Sequence, residues 1–106
     1  NLGGLFGVLE LVRSRGADAP QLVHLSGDNV LPIWDYPAPG KLDEESPRLF
    51  VDDTYGLSKI LEEVMARQYT AKFALPITVL RSSWIMEGNR IVTLCDPAKY
   101  GMKKYL

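Results

Sequence analysis

Two short apolar runs, residues 21–26 (QLVHLS) and 76–81 (PITVLR), set the narrowest limit on what this chain can fold into. Each is brief, rich in β-branched or aliphatic side chains, and preceded by a longer stretch with helical spacing, as buried strands of a layered fold are. The first closes at Ser26-Gly27. The order helix–strand–helix–strand calls for parallel strands joined by a right-handed crossover. The expected fold is therefore α/β, part of a doubly wound parallel sheet. At 106 residues the chain has room for one small domain and not two. It begins without Met inside an apolar helical stretch, which suggests a piece of a longer protein.

The helical stretches carry their own signals. Residues 2–12 place Leu2, Leu5, Phe6, Leu9 and Val12 at helical spacing, and Val8 with Leu11 adds a second apolar flank. This helix is expected to be covered on two sides. Gly3, Gly4 and Gly7 each cost up to about 1 kcal/mol in a helix interior, and the expected return is close approach of another backbone. Gly16, after the basic Arg13 and Arg15, suits a C-terminal cap. Asp52 or Asp53 can cap a second helix running to about Phe73. Its apolar stripe reads Leu57, Ile60, Leu61, Val64 and Met65, with Glu62, Glu63, Arg67 and Lys72 expected to face water. Between residues 27 and 52 lies a long Pro-rich connection that includes Pro32, Pro37, Pro39 and Pro47. Its place at a strand end favours an active-site wall. Residues 86–106 fit no single pattern, and 90–94 suit either a strand or a helix.

Composition excludes several function classes. Twelve basic and thirteen acidic side chains leave a net charge of -1, which offers no electrostatic footprint for nucleic acid or an anionic membrane. No apolar run approaches a membrane span, and no signal peptide is visible. Cys95 is the only cysteine, so a disulfide framework or thiolate metal cluster is excluded and no metal is expected. A reducing, cytoplasmic setting fits best. Gly3-Gly4-x-x-Gly7 lacks the preceding strand that a dinucleotide-binding glycine loop needs, so helix packing explains it better. His24 reads as a satisfied core residue, Cys95 as inert, and Asp43, Glu44 and Glu45 as solvated loop charges.

The pattern that carries chemistry is Tyr55-Gly56-Leu57-Ser58-Lys59, just past the start of the second helix. Four residues make slightly more than one turn, so phenol and ammonium leave the same face. A free phenol titrates near pH 10 and exchanges protons poorly at neutrality. A cation roughly 5 Å away at an effective dielectric of about 20 contributes about 3 kcal/mol toward ionisation, enough to make the phenol useful as an acid or base. Taken alone, such a pair is common on solvated helices.

Its surroundings are more specific. Thr54-Tyr55-Gly56-Leu57-Ser58-Lys59, followed by Glu62 and Glu63, is similar to the Tyr-Gly-x-Ser-Lys-x-x-x-Glu helix of extended short-chain dehydrogenases/reductases, the epimerase/dehydratase-like branch. Leu22 to Ser26 resembles that family's strand ending in a Ser/Thr-rich turn, and Leu75 to Arg81 its following strand closing on Arg. Asn1-Leu2-Gly3-Gly4 resembles the helix ahead of the first of these strands. The resemblance covers about residues 1–88, in order and spacing.

That resemblance implies a Rossmann-type sheet binding NAD or NADP, of which this chain is the C-terminal portion without the first βαβ unit. It implies an oxidoreductase or epimerase acting on a carbonyl or alcohol carbon of a small molecule, a sugar nucleotide being one candidate. Tyr55 would be the general acid/base. Lys59 would hold the nicotinamide ribose and acidify the phenol, with Ser82 also on the cofactor side. Ser26 is the nearby hydroxyl for the substrate oxygen, and Asn1 matches an Asn that supports a water-linked proton path. The helices at about 1–15 and 53–73 would pair with the same two from a second copy in a homodimer. Three departures stand out. The family's active hydroxyl often falls at the position of Gly27; Asn29 stands where dehydratases often have Glu after an acidic residue matched by Asp28; and Trp84 replaces a usual Asn. A non-catalytic nucleotide-binding regulator or scaffold of the same fold is the alternative, and a small α/β interaction module with an accidental Tyr/Lys pair a third.

Overall fold

The computed structural model describes residues 1–31, 43–46, 53–83, 85 and 87. They form a small α/β unit of two helices and two parallel strands. Helix α1 spans Leu2–Ser14, strand β1 Leu22–Gly27, helix α2 Thr54–Phe73 and strand β2 Ile77–Ser82. The strands pair in register from Leu22 opposite Ile77 to Gly27 opposite Ser82. Both lie one residue later than the apolar runs suggested. Their parallel pairing and the intervening helix match the expectation from element order.

Local chemistry accounts for the boundaries. α1 ends where Gly16 takes a left-handed conformation, φ 57°, which a residue without Cβ adopts at little cost. Asp53 is the N-cap of α2, its side chain accepting from the Gly56 N–H. Asp52, the other candidate, lies outside the described residues. α2 closes at Ala74, which holds φ 53° while its N–H donates to Thr70 O. Glycine is the usual residue there, so the alanine carries strain.

The core is thin. Leu5, Leu9 and Val12 of α1, Ala66 of α2, and Val30, Leu31 and Leu75 from the connections are buried. α1 meets α2 through Phe6 edge-on to Tyr69, with Tyr69 against Phe73 and Arg13 over the Phe73 ring. A polar clamp lies beside them. Tyr69 Oη donates to Glu10 Oε1, while Arg13 grips both carboxylate oxygens from Nε and Nη2 at 3.1 and 2.7 Å.

Two expectations about the helix faces are corrected. Val8 and Leu11 are exposed, and a Cβ at Gly3, Gly4 or Gly7 would meet nothing within 4 Å, so among the described residues α1 is covered on one side only. On α2 the phase is rotated. Glu62 and Glu63, expected in water, are 2% and 4% exposed, while Leu57, Leu61 and Val64 stand half-exposed. The reason is that α2 meets the sheet with Gly56, Lys59, Glu62, Glu63 and Ala66, small residues that permit close approach and ionic groups that find partners on the strands. Arg67 and Lys72 are exposed as expected. Asp43, Glu44 and Glu45 are also exposed, in a turn where Asp43 Oδ1 accepts from Glu45 N and Ser46 Oγ.

Candidate functional site

The C-terminal ends of β1 and β2 and the first turn of α2 converge on one cleft, with a volume of about 420 Å³. Ser26, Gly27, Asp28, Asn29, Tyr55 and Ser82 line it, with Ser83 and Ile85 at the edge. In parallel α/β sheets, ligands bind off the carboxyl ends of the strands. Ser26, Tyr55 and Ser82, all singled out from the sequence, are thus brought together here. Tyr55 is half-exposed, its phenol accessible from the open side.

Strand alternation decides which neighbour meets that phenol. A Cβ at position 27 would stand 3.8 Å from Tyr55 Oη and 3.5 Å from Asn29 Oδ1, ordinary contact distances. Position 27 therefore faces the Tyr55 hydroxyl. Ser26 is buried, and its Oγ has no hydrogen-bond partner among the described residues, Tyr55 included. Ser82 Oγ donates to Ser26 O across the paired strands at 3.4 Å, tying the two strand ends beneath the cleft.

Lys59 lies one turn further into the helix. Its Nζ is 5.9 Å from the centroid of the Tyr55 ring, on the shared face that the four-residue spacing required. The ammonium donates to Leu25 O at 3.2 Å and to Glu62 Oε2 at 2.9 Å. His24 Nε2, from β1, stands 3.1 Å from the same Glu62 oxygen, close enough to pair ionically but out of line for a hydrogen bond. The histidine expected to be a satisfied core residue thus has its ring nitrogen against a buried carboxylate.

No comparison found a relative. Family models, curated proteins and solved structures were each searched without a match.

Asn1 is not brought to the cleft. It is the exposed N-cap of α1, its carbonyl accepting from Leu5 N and its side chain making no capping bond. Behind α2, Arg81 holds Glu63 bidentately, Nε to Oε1 at 3.0 Å and Nη2 to Oε2 at 2.9 Å, and reaches Glu44 O at 3.3 Å. The Glu63 hydrogen bonds, with its charge, push the guanidinium even further above its ordinary range. This pair borders a separate hollow of about 660 Å³ on the Arg67 and Thr70 side of α2. The sequence reading missed Glu62. Its position three residues after Lys59 was the available signal, since i,i+3 residues share a helix face. Trp84 and Cys95 lie outside the described residues. Among the described residues no helix is long and apolar enough to cross a membrane. Among the described residues no cluster could hold a metal ion.

Proposed function

We propose that this chain carries the catalytic segment of an NAD(P)-dependent oxidoreductase or epimerase of the extended short-chain dehydrogenase type. The observation that carries the reading is the convergence of Tyr55, with Lys59 against its ring, on a cleft at the carboxyl ends of two parallel strands. The partial Rossmann-type sheet expected from the motifs agrees with the parallel β1–α2–β2 order.

Fit to NAD or NADP rests on the donor set. An accessible phenol and the Ser82 hydroxyl suit a nicotinamide ribose, and Lys59, one turn away, would hold the ribose hydroxyls with the proton that its contacts to Leu25 O and Glu62 leave free. When bound, the nicotinamide supplies the acceptor or donor of hydride. Tyr55 moves the proton at the substrate oxygen, with the Lys59 ammonium on the same helix face. Gly27 leaves space beside the Tyr55 hydroxyl for a substrate oxygen or a water, while Ser26 borders the same cleft with its Oγ buried and without a hydrogen-bond partner among the described residues. Asp28 and Asn29 give the rim polar acceptors and a donor for a polyhydroxyl substrate, with Asp28 in the position where dehydratases carry an acid.

The partner reading is a homodimer. Gly4, Val8 and Leu11 on α1, and Leu57, Leu61 and Val64 on α2, form two exposed stripes at i, i+4, i+7 spacing. A second copy covers such stripes most simply through a two-fold contact.

The deciding experiment is Tyr55→Phe in the active protein, with turnover of NADH or NADPH against carbonyl substrates and sugar nucleotides as the readout. Loss of about 100-fold or more with an unchanged circular dichroism spectrum is the expected result. Near-normal turnover overturns the mechanism. One observation favours a second reading, a nucleotide-binding regulator without catalysis: the position facing the phenol is Gly27 and carries no hydroxyl. Tight cofactor binding with no turnover on any carbonyl or alcohol would select it.

A further inference from the structure

The sequence placed Glu62 in water, and the structure buries it. A carboxylate that is 2% exposed, one residue before the Glu63 that engages Arg81, is costly to keep unless its charge is matched. The match is Lys59. Glu62 Oε2 accepts from the Lys59 ammonium at 2.9 Å, and the Leu25 carbonyl takes a second of its protons at 3.2 Å. Both contacts pull Nζ toward β1, and its side chain is only 15% exposed. Tyr55, one turn earlier on the same helix, sees the ammonium across its ring rather than at its hydroxyl. His24, from the strand beneath, stands 3.1 Å from the same carboxylate oxygen and is the chain's only histidine.

We propose that Glu62 is a positioning residue for Lys59: it holds the ammonium retracted against β1 and offsets its charge at the Tyr55 hydroxyl. The inference rests on the proposed function only for its catalytic half; the retraction itself stands on the contacts. An anion beside a cation turns a monopole into a short dipole, whose field falls off faster with distance. Lys59 therefore acts weakly on Tyr55 until its grip on Glu62 loosens, as when a bound polyhydroxyl competes for its protons. His24 steadies the carboxylate from the strand side. The other charged groups nearby are directed elsewhere, Glu63 to Arg81 and Asp28 to the cleft rim.

Two measurements test this. In the unmodified protein, competitive acylation followed by mass spectrometry compares Lys59 with the exposed Lys72. A paired, covered ammonium is shielded from the reagent and should label about tenfold more slowly; equal rates would overturn the retraction without recourse to any variant. In Glu62→Gln, which keeps the size and an acceptor oxygen, Lys59 labelling should rise several-fold toward that of Lys72. The pH–rate profile for alcohol oxidation should move to lower pH by about one unit, because removing an anion favours the phenolate. Unchanged labelling in a folded variant overturns the proposal. Faster labelling with an unmoved profile leaves the tether standing and overturns its catalytic role, together with the assignment of Lys59 as the activator of Tyr55.

Discussion

Arg81→Met should destabilise the protein far more than Glu63→Gln, although the two residues form one ion pair. The asymmetry follows from burial: the Glu63 side chain is 5% exposed and that of Arg81 19%. Taking away the guanidinium removes two charge-assisted hydrogen bonds, at 3.0 and 2.9 Å, from a carboxylate that water barely reaches. Breaking a buried pair from one side costs about 3–5 kcal/mol. Taking away the carboxylate charge leaves a guanidinium that can turn toward solvent, keeps its bond to Glu44 O, and still meets the glutamine oxygen. That loss should be about 1 kcal/mol, near the value for one ordinary hydrogen bond. For a chain of this size the urea slope is about 1–1.5 kcal/mol/M. Arg81→Met should then lower the midpoint by about 2–5 M, and Glu63→Gln by no more than about 1 M. The double variant should recover at least half of the larger loss, because neither charge of this pair then remains. Equilibrium urea denaturation followed by circular dichroism measures all three. An Arg81→Met loss equal to or smaller than that of Glu63→Gln would refute the burial argument.

The polar clamp between α1 and α2 predicts a pH dependence. Glu10 is lowered from 4.5 to about 2, first by its hydrogen bonds from Arg13 and then by that from Tyr69. Its folded value lies below its unfolded one, so the stability it contributes is complete above about pH 4.5 and is lost as pH falls toward 2. Glu10→Gln should lower stability above about pH 4.5 and flatten the acid unfolding within that window; identical acid profiles would contradict the clamp. At the cleft, Gly27→Ser should place a hydroxyl beside Tyr55 Oη and raise turnover, whereas Ser26→Ala should alter it little, as steady-state kinetics would show; the opposite ranking would return the substrate contact to Ser26. Leu11→Glu, on the exposed α1 stripe, should convert a dimer to monomer by light scattering while leaving the circular dichroism unchanged. An unmodified protein already monomeric at micromolar concentration would end the dimer reading.

How much of this was legible depended on the range of the interactions. The strands, the parallel order, the Asp53 cap and the left-handed Gly16 are written in neighbouring residues, and the structure places each within a residue of its expected position. The Tyr55–Lys59 juxtaposition follows from helix geometry alone. The inward face of α2 was not legible, because its partners lie on strands remote in sequence: His24 for Glu62 and Arg81 for Glu63. Apolar periodicity marks a greasy face without saying what covers it. Leu57, Leu61 and Val64 make the stronger stripe, yet they turn away from the sheet. The cleft was half legible, since alternation along β1 decides that position 27, and not 26, meets the phenol.

The ionic underside of α2 also limits where the helix can sit. Oil-like contacts tolerate sliding, since one methyl replaces another with little loss. Directional pairs do not. Lys59 on Leu25 O and Glu63 on Arg81 are such pairs, and with Glu62 beside His24 they engage both strands at successive levels of the helix. A shift by one turn would break all three at once, leaving the Lys59–Glu62 pair without its strand contacts and Glu63 without Arg81. Alternative seatings of α2 are thereby separated from the native one by a gap rather than a slope. The distance from Tyr55 to the strand ends is consequently set by electrostatic indexing, and a thin core can still deliver a reproducible site.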